Sequence, residues 1–553
     1  MNNKRAIRMR KIIVGVILTI FIFLPLLGQQ TSIIPSRSLI VEGAYNPNVA
    51  EALKIMPMPD KMSVTTPKEP VKYILEDKFY TNYSRDYMEA FVGMTNSAYK
   101  YRSVTRLGYG LNNNIDGLLD YNLELSEIDN LKIEAHIQGW NAELAENWRS
   151  KFFNSNLGLF YSHKFYPFKF ELDSRFCYEN FNYMKGKMAD SLVVGTLDNI
   201  QNIIAGSVNA KIVSITGQRL KYSLSTGWYG LSRGNISGKN IKNRENLFRL
   251  NGFLSFAYGE GELGFSYSQK MSYYDWNTWM NSVEYKNNSF YHISPFITFQ
   301  RDLFTSKAGL NLAVFRGKTD KIIVSPNLSL FYRESDRLSV FGQISGRVID
   351  NEIRELNAIS PYWGEYIQIE DGYSIADISI GMTYNLSSFA SISFKGGVEY
   401  LWNEIFQTVS DSIYVNSLFT QKNANVLYGE FSSLVSAGGV FDLNMFIGAY
   451  KRYSENNEEF FSYKPCLDVN AKARGKIFST LFAKASFNYI LFTKSSLLRV
   501  PSITNLSFGL DYAYKENLGF FLNFDNLMNC RYSYYAGYID QRITCLAGAI
   551  YRF

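Results

Sequence analysis

The sequence predicts an all-β fold, a transmembrane antiparallel β-barrel of about 22 strands with a short N-terminal periplasmic extension. Three observations predict it. Strict apolar/polar alternation recurs in segments that reach the roughly 9 to 11 residues a tilted strand needs to cross a bilayer. Tyr (40) and Phe (41) are abundant and Pro (13) is scarce, yet mean hydropathy is slightly negative, so the apolar residues are spread by alternation rather than gathered into helices. Short and long connections also alternate, as periplasmic turns and external loops do in outer-membrane barrels.

Residues 1–28 are read as a signal peptide. Lys4, Arg5, Arg8, Arg10 and Lys11 form a charged region, followed by the uncharged run "IIVGVILTIFIFLPLLG" and the small Gly28. The run is almost long enough to span a membrane, so a retained anchor is the alternative. Removing these five basic residues takes the formal charge from +7 to +2. A nearly neutral chain without a basic block does not suggest nucleic acid.

Residues 29–98 are read as a periplasmic extension, rich in Pro and Met and poor in alternation. Its "YNPNVAEALKIMP" is more than a tether needs. Tyr45, Pro47, Leu53, Lys54 and Ile55 are the candidate residues for docking a partner, such as a periplasmic or surface lipoprotein. This segment is expected to close the barrel or to hold the partner that does.

Residues 99–553 are read as the barrel, with strands from about residue 103. In "TNLSFGLDYAY" Leu506, Phe508 and Leu510 are placed toward lipid, and Asn505, Ser507 and Asp511 toward the lumen. "CLDVNAKAR" and "FASISFKGGVEY" alternate in the same way. Short links fall at 126–130, 166–169, 259–262, 334–337, 386–388, 437–439 and 514–517. Longer links fall at 140–155, 182–199, 232–245, 272–290, 349–371, 405–424 and 527–542. A barrel this wide is normally plugged, so loops such as 349–371 are expected to fold inward and help to close it.

Little catalytic chemistry is present. His136, His163 and His292 are the three histidines; the first two lie on neighbouring strands and could approach each other, but luminal polar residues at arbitrary heights explain them better. P-loop, GxSxG and HExxH motifs are missing, so no enzyme, metal or cofactor is expected. Of the four cysteines, Cys530 and Cys545 flank the last external loop and are a candidate disulfide if the hairpin centres near Gly537. Ser191 in "DSL" and Ser412 in "DSI" resemble acceptors of a three-residue bacterial O-glycosylation signal, although such triplets also arise by chance.

The last strand, "ITCLAGAIYRF", carries an apolar row ending in Tyr551 and Phe553. Together with "AYNPNVAEALKIMPMPD", "LGYGLNNN", "LNAISPYW" and "NFDNLMNCRYSYYAGYIDQRITCLAGAIYRF", it resembles the barrel portion of TonB-dependent receptors, and in particular receptor-like proteins lacking the usual plug domain. The resemblance implies residence in the outer membrane of a Gram-negative bacterium and passage or uptake of a solute. It also implies that Tyr551 and Phe553 serve as the signal read by the outer-membrane assembly machinery, although both rings also suit an interfacial aromatic girdle. The alternative function is a non-transporting scaffold of an outer-membrane assembly or secretion complex. The short segment before the barrel, without a convincing TonB-recruiting box, sets the chain apart from complete receptors.

Overall fold

The computed structural model describes residues 103–553, apart from 146–147, 185–199, 216–218, 235–242, 276–286, 318–319, 364–368, 412–414, 438–439, 454–462, 494–499 and 536. The signal peptide, the 29–98 extension with Tyr45, Pro47, Leu53, Lys54 and Ile55, and the candidate acceptors Ser191 and Ser412 lie outside the described residues.

The described chain is one sheet of 22 strands. They are β1 Ser103–Gly110, β2 Asn114–Glu124, β3 Asp129–Ala145, β4 Trp148–Lys164, β5 Phe168–Asn182, β6 Ile200–Ser214, β7 Leu220–Arg233, β8 Asn243–Tyr258, β9 Gly261–Asp275, β10 Asn288–Arg301 and β11 Phe304–Arg316. The second half is β12 Lys321–Arg333, β13 Leu338–Ile349, β14 Gly372–Ser387, β15 Ala390–Asp411, β16 Val415–Ala437, β17 Phe441–Tyr453, β18 Pro465–Phe478, β19 Leu481–Phe492, β20 Ile503–Ala513, β21 Leu518–Asp525 and β22 Thr544–Arg552. One helix, α1 Ile353–Ile359, follows β13. Every strand pairs antiparallel with its neighbours in sequence, and β22 pairs with β1 from Val104↔Arg552 to Gly110↔Leu546, which closes the barrel. Closure removes the sheet edges, as a membrane-spanning sheet requires.

The alternation places the two faces. Phe181, Ile203 and Leu231 on β5, β6 and β7 belong to a cluster that also holds residues of the far wall, so their rows face the lumen. The opposite rows expose Phe176, Ile204 and Trp228 on the outside. On β20 the expected arrangement is found. Asn505 and Ser507 hydrogen-bond Asp525, and Asp511 accepts from Lys484 at 2.8 Å. Leu506, Phe508 and Leu510 share the opposite row with the exposed Tyr512.

At the closure seam, three strands meet around one ring. Phe521 of β21 is opposite Gly548 of β22, which is opposite Gly108 of β1. A Cβ on Gly108 would sit 2.8 Å from the ring and one on Gly548 2.6 Å from it, so the glycines make room for the aromatic to lie across the junction. Arg106 approaches the same ring at 5.6 Å and pairs with Asp116 of β2. Val104, Leu546 and Ile550 complete this apolar patch.

Two expected links prove to be strand. The 140–155 region is the top of β3 and β4, paired up to Ala145↔Trp148. The 405–424 region belongs to the two longest strands, β15 (22 residues) and β16 (23 residues). Buried apolar residues take both faces in 405–424 and the luminal row in 140–155, for a reason that becomes clear at the mouth.

Candidate functional site

The candidate site is the mouth of the barrel at the end that carries the long loops. Three segments converge there: the upper part of the β15–β16 hairpin, residues 350–371 after β13, and the loop 526–543 after β21.

The hairpin leaves the wall at a bulge. Pairing steps from Leu401↔Ala424 to Glu404↔Lys422, and Asn403 adopts a positive φ of 57°. Its backbone N–H donates to Asn423 Oδ1 at 3.3 Å, and its carbonyl accepts from the side-chain amides of Asn351 and Gln421. Beyond the bulge the exposure pattern changes. Ile405 and Phe406 point to opposite faces, yet they are 2% and 1% exposed. On β16 the row that exposes Leu427 to the outside carries Phe419, Ser417 and Val415 into buried contact farther up. A ribbon lying in the wall would have left these residues facing lipid. Phe406 and Glu404 are covered by Lys464, whose ammonium lies 3.0 Å from Glu404; burial pushes the Lys464 ammonium below its ordinary value, against the opposing pull of that carboxylate.

The hairpin reaches across the lumen. Val415 N–H donates to Met184 O at 3.0 Å, immediately beyond the end of β5. In a ring of 22 strands, β5 and β16 are eleven positions apart in either direction, so this bond joins opposite walls. Ile405, Val415 and Phe419 pack with Phe181, Tyr183, Ile203 and Leu231 of the far wall. Tyr538 of the last loop donates to Val415 O at 2.6 Å and receives Met184 N–H at 3.3 Å. Gly537 makes this possible: its φ is +82°, and its missing side chain lets the turn lie against Val415.

The described residues 350–363 and 369–371 fold inward at the same bridge, as the sequence led one to expect. Ile353 and Leu356 of α1 are buried in the shared cluster with Tyr362 and Trp363. Tyr362 stacks on Tyr538 with centroids 3.6 Å apart and 10° between the planes. Ser417 N–H donates to Tyr362 O at 2.7 Å. Arg233, at the top of β7, lies 3.9 Å over the Trp363 ring and donates to the carbonyls of Pro361 and Trp363 at 3.1 Å each, to Asn357 Oδ1 and to Tyr183 Oη. Tyr183 in turn donates to Trp363 O at 2.9 Å.

Charge anchors the segment's two ends. Lys270 of β9 is 1% exposed and pairs with Asp371 and, at 3.3 Å, with Asp350. Arg249 of β8 pairs with Asp350 at 3.0 Å and Glu352 at 2.6 Å. Glu245 accepts the Ile353 N–H, an otherwise unpaired donor at the start of α1. Burial raises the Asp350 carboxyl, but the attraction of Lys270 and Arg249 outweighs it and holds the group below its usual 3.8.

Below this structure lies a cavity of about 720 Å³ along the luminal rows of β3 to β8. Its walls carry paired charges of both signs: Lys132 with Asp120 and Glu134, and Lys169 and Lys211 with Glu171. Its upper part includes Arg249, Glu352 and Arg354, so the cavity and the anchored segment share residues. Among the described residues no group of three or more His, Cys, Asp or Glu converges as a metal site.

The remaining sequence candidates separate. Tyr551 and Phe553 stand 46% and 43% exposed on the outer face with centroids 5.7 Å apart, and Phe553 exchanges both backbone hydrogen bonds with Ser103 at the seam. Cys530 and Cys545 are free thiols, which corrects the expected disulfide. The hairpin does not centre near Gly537: Cys545 pairs with Phe524, six residues before Cys530, and Cys530 turns into the loop, where its N–H bonds Asn526 Oδ1 at 3.0 Å. His136 and His163 do not meet. His136 is opposite Asn156 and bonds Asp116 in the lumen, whereas His163 is opposite Asp129 near the other rim and bonds it at 2.6 Å. Sequence reasoning missed Arg233, Glu245, Arg249 and Lys270. Each is one polar residue in an alternating luminal row, and nothing local distinguishes it from its neighbours.

No family model and no curated protein matches the chain. Solved structures do. The siderophore receptor PirA from Acinetobacter baumannii matches with a TM-score of 0.61 and 10% identity, over 82% of this chain and 80% of that one. The copper transporter OprC matches at 0.59 and 10%, over 82% and 80%. The ferric-catecholate import receptor Fiu from E. coli K12 matches at 0.57 and 11%, over 82% of each chain. The described barrel therefore has the fold of the TonB-dependent receptor barrels.

Proposed function

We propose that this chain is an outer-membrane barrel that passes or takes up a solute, and that it acts as a transport protein rather than an enzyme. The observation that carries this reading is a charged cavity inside a closed barrel, beneath a mouth built from its own loops. The outer rows of Leu, Ile, Phe and Tyr suit lipid contact, and the luminal rows of paired Lys, Arg, Asp and Glu suit a hydrated path. The balance of signs along β3 to β8 favours a polar solute carrying both charges, or none, over a strongly charged one.

Residues 29–98 are proposed as a periplasmic extension in which Tyr45, Pro47, Leu53, Lys54 and Ile55 dock a closing element or a lipoprotein partner. Tyr551 and Phe553, facing outward on the strand that seals the barrel, are proposed as the row read by the assembly machinery. The test is uptake by Gram-negative cells expressing the full chain, with a panel that includes copper, a ferric catecholate and uncharged and zwitterionic solutes. Accumulation above the vector control for one member supports the reading. No accumulation for any member, with stoichiometric co-purification of a second outer-membrane protein, would replace transporter with scaffold.

A further inference from the structure

We propose that the described upper part of the β15–β16 hairpin, residues 404–411 and 415–422, is a gate that swings at the Asn403 bulge and is latched to the opposite wall directly and through residues 360–363. The proposal rests on the solute-passage reading for its purpose, but its geometry stands separately.

Three features distinguish a gate from a fixed brace. The first is a hinge: the bulge interrupts the β15–β16 ladder at one place, Asn403 takes a conformation that an L residue other than Asn or Asp adopts with strain, and the ribbon is regularly paired on both sides of it. The second is a latch gathered at one end of the hairpin. The hairpin meets the far wall through the Val415–Met184 backbone bond and through the packing of Ile405, Val415 and Phe419 against Phe181, Tyr183, Ile203 and Leu231, and the Tyr538 hydroxyl of the last loop ties Val415 to Met184. It meets residues 360–363 through Ser417 N–H to Tyr362 O and the Ser360–Ser417 hydroxyl pair. Those residues are in turn held by Arg233, whose guanidinium serves the Pro361 and Trp363 carbonyls, the Tyr183 hydroxyl and the Trp363 ring together. One side chain thus fastens the bridge to β7. The third is a link to what lies below. Arg249, Glu352 and Arg354 line the cavity and also hold the segment that carries the latch, so an occupant engaging them alters the contacts on which the closed mouth depends.

The test reads access to the cavity, not transport. The four native cysteines are replaced by Ser, and Ser207→Cys places a thiol on the cavity wall. Labelling by a membrane-impermeant maleimide is then timed on intact cells. Three mouths are compared: the native one; one with Arg233→Ala; and one locked by Met184→Cys with Val415→Cys, two residues already joined by a 3.0 Å backbone bond, with disulfide formation checked by gel shift on reduction. Heat-modified migration on gels confirms that each barrel is folded. The expected result is labelling at least tenfold faster with Arg233→Ala than with the native mouth, and at least tenfold slower in the locked form, reversed by reductant. Equal rates in all three folded proteins would overturn the gate. Failure of the transport reading looks different: access would still follow the latch, while no solute accumulates.

Discussion

At the level of single residues, the mouth is held by buried polar groups whose partners are far away in sequence. Lys270 is the clearest case. It is almost fully enclosed, and Lys270→Ala would leave the buried Asp371 carboxylate without its cation and the partly exposed Asp350 with one cation fewer. Breaking a buried pair in this way costs about 3–5 kcal/mol. The expected outcome is loss of protection in residues 350–371, read as new protease cutting in detergent, with the barrel itself intact. Asp350 adds a pH dependence. Its folded value lies below the usual 3.8, so its contribution is complete above that value and is lost as pH falls through the folded one. Protection of the 350–371 region against hydrogen exchange, corrected for the intrinsic rate, is therefore expected to fall as pH drops below about 4. Protection that stays unchanged down to about pH 2 would contradict the assignment. None of these residues was legible beforehand. A lone Lys in an alternating row predicts only a luminal position, whereas Lys270 acquires its role from a loop some eighty residues further on.

At the level of elements, alternation reveals the wall and conceals the mouth. Where one side is lipid and the other is the lumen, as along β20, apolar and polar residues keep to separate rows and the faces were readable from the sequence. Where protein covers both sides, that constraint disappears. Ile405 and Phe406 are adjacent and both buried, so the top of β15 reads as irregular although it is strand. Along 140–155 the luminal row itself turns apolar, since Trp148, Ala142 and Phe152 are buried or packed against the mouth cluster, and the polar row that marks a lumen-facing strand is lost. The disulfide expectation failed on register, which a long intervening loop leaves unspecified. The closure seam gives an element-scale prediction. Gly548→Val would drive a branched side chain into Leu107 O, 2.0 Å from an added Cβ, and into the Phe521 ring. Phe521→Ala would instead leave a void in the Val104, Leu546 and Ile550 patch, at about 3–5 kcal/mol. Both variants are expected to lower the temperature at which the barrel loses its compact gel migration, with Gly548→Val the more severe because backbone must move. A Gly548→Val barrel as heat-resistant as the native one would show that the seam tolerates an open junction.

At the level of the whole molecule, the barrel is joined across itself twice: β22 closes the wall against β1, and the hairpin with its two companion loops bridges the mouth across the diameter. The number of strands, the starting residue of the first and the inward fold of 349–371 could all be anticipated, because they follow from repeated local patterns and from the width that so many strands enclose. The cross-lumen bridge could not, because it joins Met184 to Val415 through a backbone bond that no side-chain pattern announces. The proposed function and the proposed gate together predict a solute path whose mouth is shut at rest. Its most direct measurement is the ionic current of the purified full chain in planar bilayers, taken with the native mouth, with Arg233→Ala, and with the Met184→Cys and Val415→Cys pair oxidised and then reduced. The expected record is a quiet native protein with brief openings, openings at least tenfold more frequent with Arg233→Ala, and none in the oxidised pair until reductant is added. A steady current of the size of an unobstructed barrel in the native protein, or no current in any of the four, would contradict it.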